Sequence, residues 1–261
     1  MSKTYGDIQQ TAWRWLGREL DRWADTDQVV ELWWRDDDAV ADNALLQRLL
    51  GISETYQLPV SLAVIPAALA PGLNPALRLH EQVSVLQHGY AHENYAPGGE
   101  KKLELGGDRS IANLKRDLSK GFERLQGEFD SQFTPVLVPP WNRITPPLIE
   151  SLGEIGFRGI STMKARAKAN PAPELLMVNT HLDPVNWRHR GGFIGDYLAI
   201  AILIQHLQGK RTGYRDAGEP SGILTHHLVQ NEAVWDFFER LIDFLSRHEA
   251  VNWVSAKTIW K

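Results

Sequence analysis

The chain has 261 residues, 43% of them hydrophobic, with a formal net charge of -4 at pH 7 and no cysteine. That length can bury one sizeable core, and barrels of this size commonly form a single unit, so one domain spanning residues 1–261 is expected. Scattered Lys and Arg offer no basic stripe for a phosphate backbone, which argues against nucleic acid as a partner; without cysteine, any transition metal must rest on His, Asp or Glu.

The opening stretch MSKTYGDIQQTAWRWLGREL lacks the basic patch and unbroken apolar core of a secretory signal, and no apolar run approaches the roughly 18 residues of a membrane span. A soluble cytoplasmic protein with no membrane partner is therefore expected. Ala12 or Trp13, Leu16, Leu20 and Trp23 recur at helical spacing and predict an amphipathic helix over residues 7–24. VVELWW reads as a buried strand, residues 43–56 as a helix, and PVSLAVI and VSVLQH as strands. Between residues 110 and 129, Ile111, Leu114, Leu118, Phe122, Leu125 and Phe129 step by three and four, the clearest helical pattern in the chain. TPVLVPPW follows as a strand running into a proline-fixed turn. Then come a helix over 147–155, FRGIS, LLMVNTH, a helix over 197–207, GILTHH, a helix over 231–246, and VNWVS.

Apolar strands alternating with helices predict a parallel sheet with helices outside. ELWWRDDDA, VSVLQHGYAH, VLVPPWNR, LMVNTHLD and GILTHH each begin apolar and end in chemically capable side chains, which favours a barrel with its site at the C-terminal rim over an open sheet. The loops at residues 96–108 and 209–220, rich in Gly and charge, are expected to be mobile rims around that site. No internal repeat is evident.

Asp36, Asp37 and Asp38 follow an apolar strand, where at least one carboxylate needs a counter-charge from a metal ion or from Arg35. His88 and His92 stand four apart; a helical turn after the strand would set both imidazoles on one face, within reach of one ion at about 2.0–2.1 Å. Two imidazoles and a carboxylate leave positions open for water, as in catalytic rather than structural zinc sites. His226 and His227 close another strand, and because adjacent strand residues face opposite ways, only one of them easily enters the site. Taken singly, each feature has an ordinary explanation: a solvated acidic turn, two surface histidines, a packed histidine.

In chain order, RDDDA, HGYAH, VPPWNR, HLDPVNW and LTHH resemble the ordered motifs of the polysaccharide deacetylase family, spread from Arg35 to His227. The resemblance implies an irregular (β/α) barrel in a single domain, here with the N-terminal amphipathic helix, and metal-dependent removal of N- or O-acetyl groups. It implies Asp37 as general base and Asp38 as metal ligand, with Asp36 and Asp37 as the alternative register. It further implies His88 and His92 as ligands of a divalent metal ion, zinc being expected, and His226 as general acid. Trp141 matches a wall of the substrate cleft, Asp183 the residue that orients the catalytic histidine, and Trp187 a residue lining the pocket.

Three positions depart from the family pattern. Ala39 stands for a glycine, Gly89 for a Ser or Thr, and Val138 for an arginine that steadies the base, a role Arg143 or Arg35 could take over. The expected function is a hydrolase that removes an acyl group, acetyl above all, from a small N-acetylated sugar or related amide. Asp37 would take a proton from water and His226 would protonate the departing amine. The lack of cysteine and of a G-x-S-x-G elbow agrees with a water nucleophile. The alternatives are a binding or regulatory protein on the same barrel that has lost catalysis, and a hydrolase of another carbon–nitrogen bond.

Overall fold

The computed structural model describes residues 5–189 and 191–261 and organises them around strand β1 (Val30–Ala39), which pairs in parallel with three other strands. In chain order the elements are α1 (Tyr5–Ala24), β1, α2 (Ala44–Tyr56), β2 (Val60–Val64), α3 (Leu73–Leu77), β3 (Val83–His88), α4 (Ile111–Phe129) and β4 (Phe133–Val138). There follow α5 (Pro146–Glu150), α6 (Leu152–Ile155), β5 (Gly159–Ile160), β6 (Leu176–Met177), β7 (Thr180–Leu182), β8 (Val185–Asn186) and β9 (Gly192–Phe193). The chain ends with α7 (Asp196–Arg211), β10 (Ser221–Thr225), α8 (Glu232–Ser246), β11 (Val251–Trp253) and α9 (Ala256–Ile259).

The main sheet runs β6-β5-β4-β3-β2-β1-β10-β7, with β11 also beside β1, and every pairing is parallel. Its ends meet. Beyond β5, the Thr180 N–H donates to Thr162 O (3.0 Å) and the Lys164 N–H to Thr180 O (2.7 Å), while β7 pairs on its other side with β10. The sheet thereby curls into the expected irregular (β/α) barrel.

Side-chain alternation along β1 separates the two cores. Leu32 and Trp34 face the helix layer, among Leu46 and Leu49 of α2 and Trp235 and Phe238 of α8, whereas Trp33 faces the barrel interior, edge-on to Trp260 at 5.4 Å. Burial on both faces is why this strand reads as an unbroken apolar run. Each indole N–H is satisfied, Trp33 Nε1 by Asn179 O and Trp34 Nε1 by the Thr225 hydroxyl. The N-terminal helix behaves as its periodicity predicts: Ala12, Leu16, Leu20 and Trp23 are buried, and each leucine contributes about 1.5–3 kcal/mol of apolar burial. On α4, Ser110 caps the first turn by accepting the Asn113 N–H, and Leu114, Leu118 and Leu125 point inward.

The structure corrects several expectations. Strand β1 continues through all three aspartates, because each acid finds a partner. The helix expected over 147–155 divides into α5 and α6 at Ser151. The loop at 209–220 leads into Ser221, which pairs with Leu32, whereas Asp36 pairs with Thr225 and the next two aspartates lie beyond it, at the opposite end of the barrel; this loop is no rim of the candidate site. The loop at 96–108 does reach the site end, but it is pinned: Leu105 bridges to Ile144, the Tyr95 N–H donates to Leu103 O, and Arg109 pairs with Asp117 and lies over the Tyr95 ring. No helix among the described residues is long and apolar enough to cross a membrane.

Candidate metal centre

Alternation continues to the end of β1. Arg35 and Asp37 follow Trp33 toward the interior, and Asp38 would face outward were the strand regular. Its backbone is left-handed (φ 74°), and the register between β1 and β2 shifts between Asp36 and Ala39, so the carboxylate swings to the rim. Three consecutive acids thus go three ways. Asp36 turns to the outer layer, where Oδ1 lies 2.5 Å from His227 Nδ1 and Oδ2 accepts the His227 N–H (3.0 Å) and the Thr225 hydroxyl (2.7 Å). Asp37 pairs with Arg35. Asp38 Oδ1 stands 3.1 Å from His88 Nε2 and 3.3 Å from His92 Nε2. Burial opposes a charge on Asp38, yet the neighbouring imidazoles of His88, His226 and His92 outweigh it and hold the carboxyl well below the usual range.

His88 closes β3, and its buried ring places Nδ1 2.9 Å from Val138 O. A carbonyl can only accept, so Nδ1 carries a proton, and Nε2, beside Asp38, is the nitrogen that would serve a metal ion. The spacing to His92 is not helical. Gly89 (φ 55°) and His92 (φ 57°) are left-handed, and the segment between them is an irregular loop. What organises it is Glu104, whose Oε1 accepts the N–H groups of Tyr90 (3.1 Å) and Ala91 (2.7 Å). Sequence reasoning missed Glu104; its one sign is a lone acid between Leu103 and Leu105. A Cβ on Gly89 would meet Glu104 Oε2 at 2.1 Å and Pro140 Cγ at 2.6 Å, which accounts for glycine where the resembled pattern has Ser or Thr.

The ligand atoms of Asp38, His88 and His92 all lie within 4.8 Å of one another. Asp38 Oδ1 is buried without a well-aligned hydrogen-bond donor, although two imidazole nitrogens stand beside it. A carboxylate oxygen and two imidazole nitrogens converging in this way fit a divalent transition ion.

The other expected residues gather at the same rim. Trp141 lies in a short turn after β4 (φ 54°), its ring 4.5 Å from that of His92 and under the Lys102 ammonium at 5.6 Å. His226, just past β10, points Nε2 toward Asp37 Oδ2 at 3.9 Å and meets the half-exposed Trp187 edge-on at 4.6 Å. Asp183 accepts the Val185 N–H (2.9 Å) and Trp187 Nε1–H (2.7 Å). It therefore holds Trp187 against His226; among the described residues no hydrogen bond joins it to His226, whose Nδ1 is buried without a partner. Burial pushes the Asp183 carboxyl above its ordinary range despite the nearby His226.

Val138 is apolar and buried, so the charge beside Asp37 comes from elsewhere. Arg143 does not supply it, because its Nη1 donates to Lys102 O. Arg35 does. Its Nη1 also reaches Ser161 Oγ (2.7 Å) and the carbonyls of Ser161 and Thr162, and its Nη2 reaches Asn142 Oδ1 (3.0 Å), so the buried guanidinium is held on several sides.

No family model matches the chain, and no curated protein matches its sequence. Solved structures do match. A candidate polysaccharide deacetylase from Mycobacterium smegmatis superposes with a TM-score of 0.57 at 17% identity, covering 89% of this chain and 88% of that one. The peptidoglycan N-acetylglucosamine deacetylase Bc1960 gives 0.55 at 14% identity, covering 92% and 96%. The fold is that of the polysaccharide deacetylases. A family 4 acetyl xylan esterase from Clostridium thermocellum, solved with a cobalt ion, gives 0.51 at 13% identity over 88% and 89%. On this chain's version of the deacetylase fold, the candidate metal ligands sit where β1 and β3 end, on the rim that also carries Trp141 after β4 and His226 after β10.

Proposed function

We propose that this chain is a divergent metal-dependent deacetylase that hydrolyses an acyl amide, an acetyl group on the nitrogen of a sugar or a comparable small amide. The observation that carries the reading is the convergence of Asp38, His88 and His92 beside an Asp37 held by Arg35. These three residues would hold the ion, and the two-imidazole, one-carboxylate set suits zinc. When bound, the ion supplies Lewis acidity at the acyl oxygen and makes water more acidic.

The chain's own residues do the rest. Asp37, fixed in one orientation by Arg35, takes the proton released as water adds to the acyl carbon. His226, 3.9 Å across from Asp37, gives a proton to the amine as the carbon–nitrogen bond breaks, so the products are a carboxylate and a free amine. Trp187 packs against His226 and Trp141 against His92, forming two aromatic walls for a ring-shaped substrate. The names of the fold neighbours, which include an N-acetylglucosamine deacetylase and an acetyl xylan esterase, support acetyl as the group removed.

The test is acetate release by zinc-loaded and cobalt-loaded protein from N-acetylglucosamine, its dimer, small N-acetylated amides, acetylated xylan, chitin and peptidoglycan. Turnover is expected, fastest on the soluble N-acetyl sugars. Protein carrying one ion per chain that releases no acetate from any of them would point instead to a binding role.

A further inference from the structure

We infer that Glu104 is a positioning residue that couples the rim loop of residues 96–108 to the loop carrying His92, so that metal occupancy and rim order rise and fall together. The inference rests on the proposed metal site.

Glu104 is only 1% exposed, yet it belongs to the loop that would be expected to be free. Its Oε1 takes the N–H groups of Tyr90 and Ala91, two of the three residues between the proposed ligands. Left-handed backbone at Gly89 and His92 denies those half-buried amides a helical ladder, and without an acceptor each would carry part of the cost of an unsatisfied donor. The carboxylate therefore stands in for missing secondary structure. The space for Oε2 exists only because residue 89 has no Cβ. The placement of Glu104 thus depends on glycine at position 89.

On its other side Glu104 is part of the rim. Its carbonyl accepts from Arg109, the Leu103 N–H donates to Asn94 Oδ1, and Leu105 O accepts the Thr145 N–H. Two residues upstream, Lys102 lies over Trp141, and its carbonyl accepts from Arg143. Trp141 packs on His92. Two routes therefore join the rim to the same ligand, one through Glu104 and the Ala91 amide, the other through Lys102 and Trp141. Holding His92 in place favours the ordered rim, and an ordered rim favours the His92 geometry that binds metal.

The experiment combines zinc affinity, by competition with a chromophoric chelator, with amide hydrogen exchange over residues 90–105 in the presence and absence of zinc. In the wild type, zinc is expected to slow exchange at the rim. Glu104→Ala should weaken zinc binding by about 10–100-fold, as loss of a residue supporting a metal ligand does, and should abolish the zinc-dependent protection. Glu104→Gln retains a carbonyl acceptor and should stay close to wild type in both readouts, which a requirement for charge would not allow. Unchanged zinc affinity in Glu104→Ala, or a wild-type rim indifferent to zinc, would overturn the coupling. Should Glu104→Ala fail to fold, the wild-type exchange comparison and the Gln variant decide on their own. A wild type that binds no zinc at all would remove the metal reading itself and this inference with it, an outcome distinct from both.

Discussion

Arg35 Nε stands 2.8 Å from Asp37 Oδ1 while its Nη2 reaches Asp37 Oδ2 at 3.0 Å, so a fully buried guanidinium two residues upstream on the same strand grips both oxygens of the proposed base. Strand alternation makes this possible, because residues two apart leave the same face of the sheet. The charge that the resembled motif places at the position of Val138 is supplied here from within β1.

Replacing Arg35 by Met should leave Asp37 buried without its counter-charge. The expected result is a loss of about 3–5 kcal/mol in stability and a fall in kcat of about 100-fold with metal retained. Lysine cannot reproduce the two-pronged grip, so Arg35→Lys should recover only part of the activity. Urea unfolding, steady-state kinetics and metal content measured on the same preparations check this. Wild-type kcat in the Met variant would show that Asp37 needs no such partner.

The three aspartates should separate by phenotype. Asp38→Asn, His88→Ala and His92→Ala are expected to lose stoichiometric metal, whereas Asp37→Asn should keep it and lose turnover, a pattern read by elemental analysis and acetate assays. If Asp37→Asn emptied the site while Asp36→Asn kept metal without activity, the roles would have to shift by one residue.

Asp36 should matter for stability alone. It accepts from Thr225 and from the His227 backbone N–H, and lies against the His227 ring, in the layer between sheet and helices. Burial opposes a charge on His227, but the Asp36 carboxylate outweighs it and raises the ring's affinity for a proton. Asp36→Ala strands these buried groups and should cost about 3–5 kcal/mol. The corresponding observations are a lowered unfolding midpoint and unchanged metal stoichiometry; loss of metal at unchanged stability would contradict this assignment.

Acid should destabilise the protein through a cluster at the far end of the barrel. The ring of His206 stacks on His181 at 3.6 Å, and burial, assisted by His181, Lys210 and Arg215, lowers the His206 pKa to about 2. A folded pKa below the unfolded value near 6.5 means that this group's contribution to stability is complete above pH 6.5 and is lost as pH falls toward 2, at up to about 1.4 kcal/mol per pH unit. His181, also lowered by burial, adds to the same trend. Unfolding midpoints at pH 7.5 and 5.5 should therefore differ more in the wild type than in His206→Phe. Equal differences in the two proteins would refute the assignment.

Much of the architecture was legible in the chain itself. Apolar runs that end in polar residues indicated a parallel barrel and the rim that carries the candidate site, and periodicity located α1, α4 and α8, because burial of one face imposes a repeat on the residues. The donor types of the candidate site, His and Asp, could also be picked out, since a chain without cysteine would have few other ways to hold a metal. Which way Asp38 faces was not, because a single left-handed residue and a register shift decide it, and neither leaves a periodic trace. The same holds for the histidine loop, which does the work expected of a helical turn through positive φ at Gly89 and His92 and through Glu104. Arg35 could be chosen over Arg143 only once the strands were assembled, because its position is set by Ser161, 126 residues away in the chain. Repeating patterns report local burial and are written in the sequence; partners brought together by barrel closure exist only in the tertiary structure.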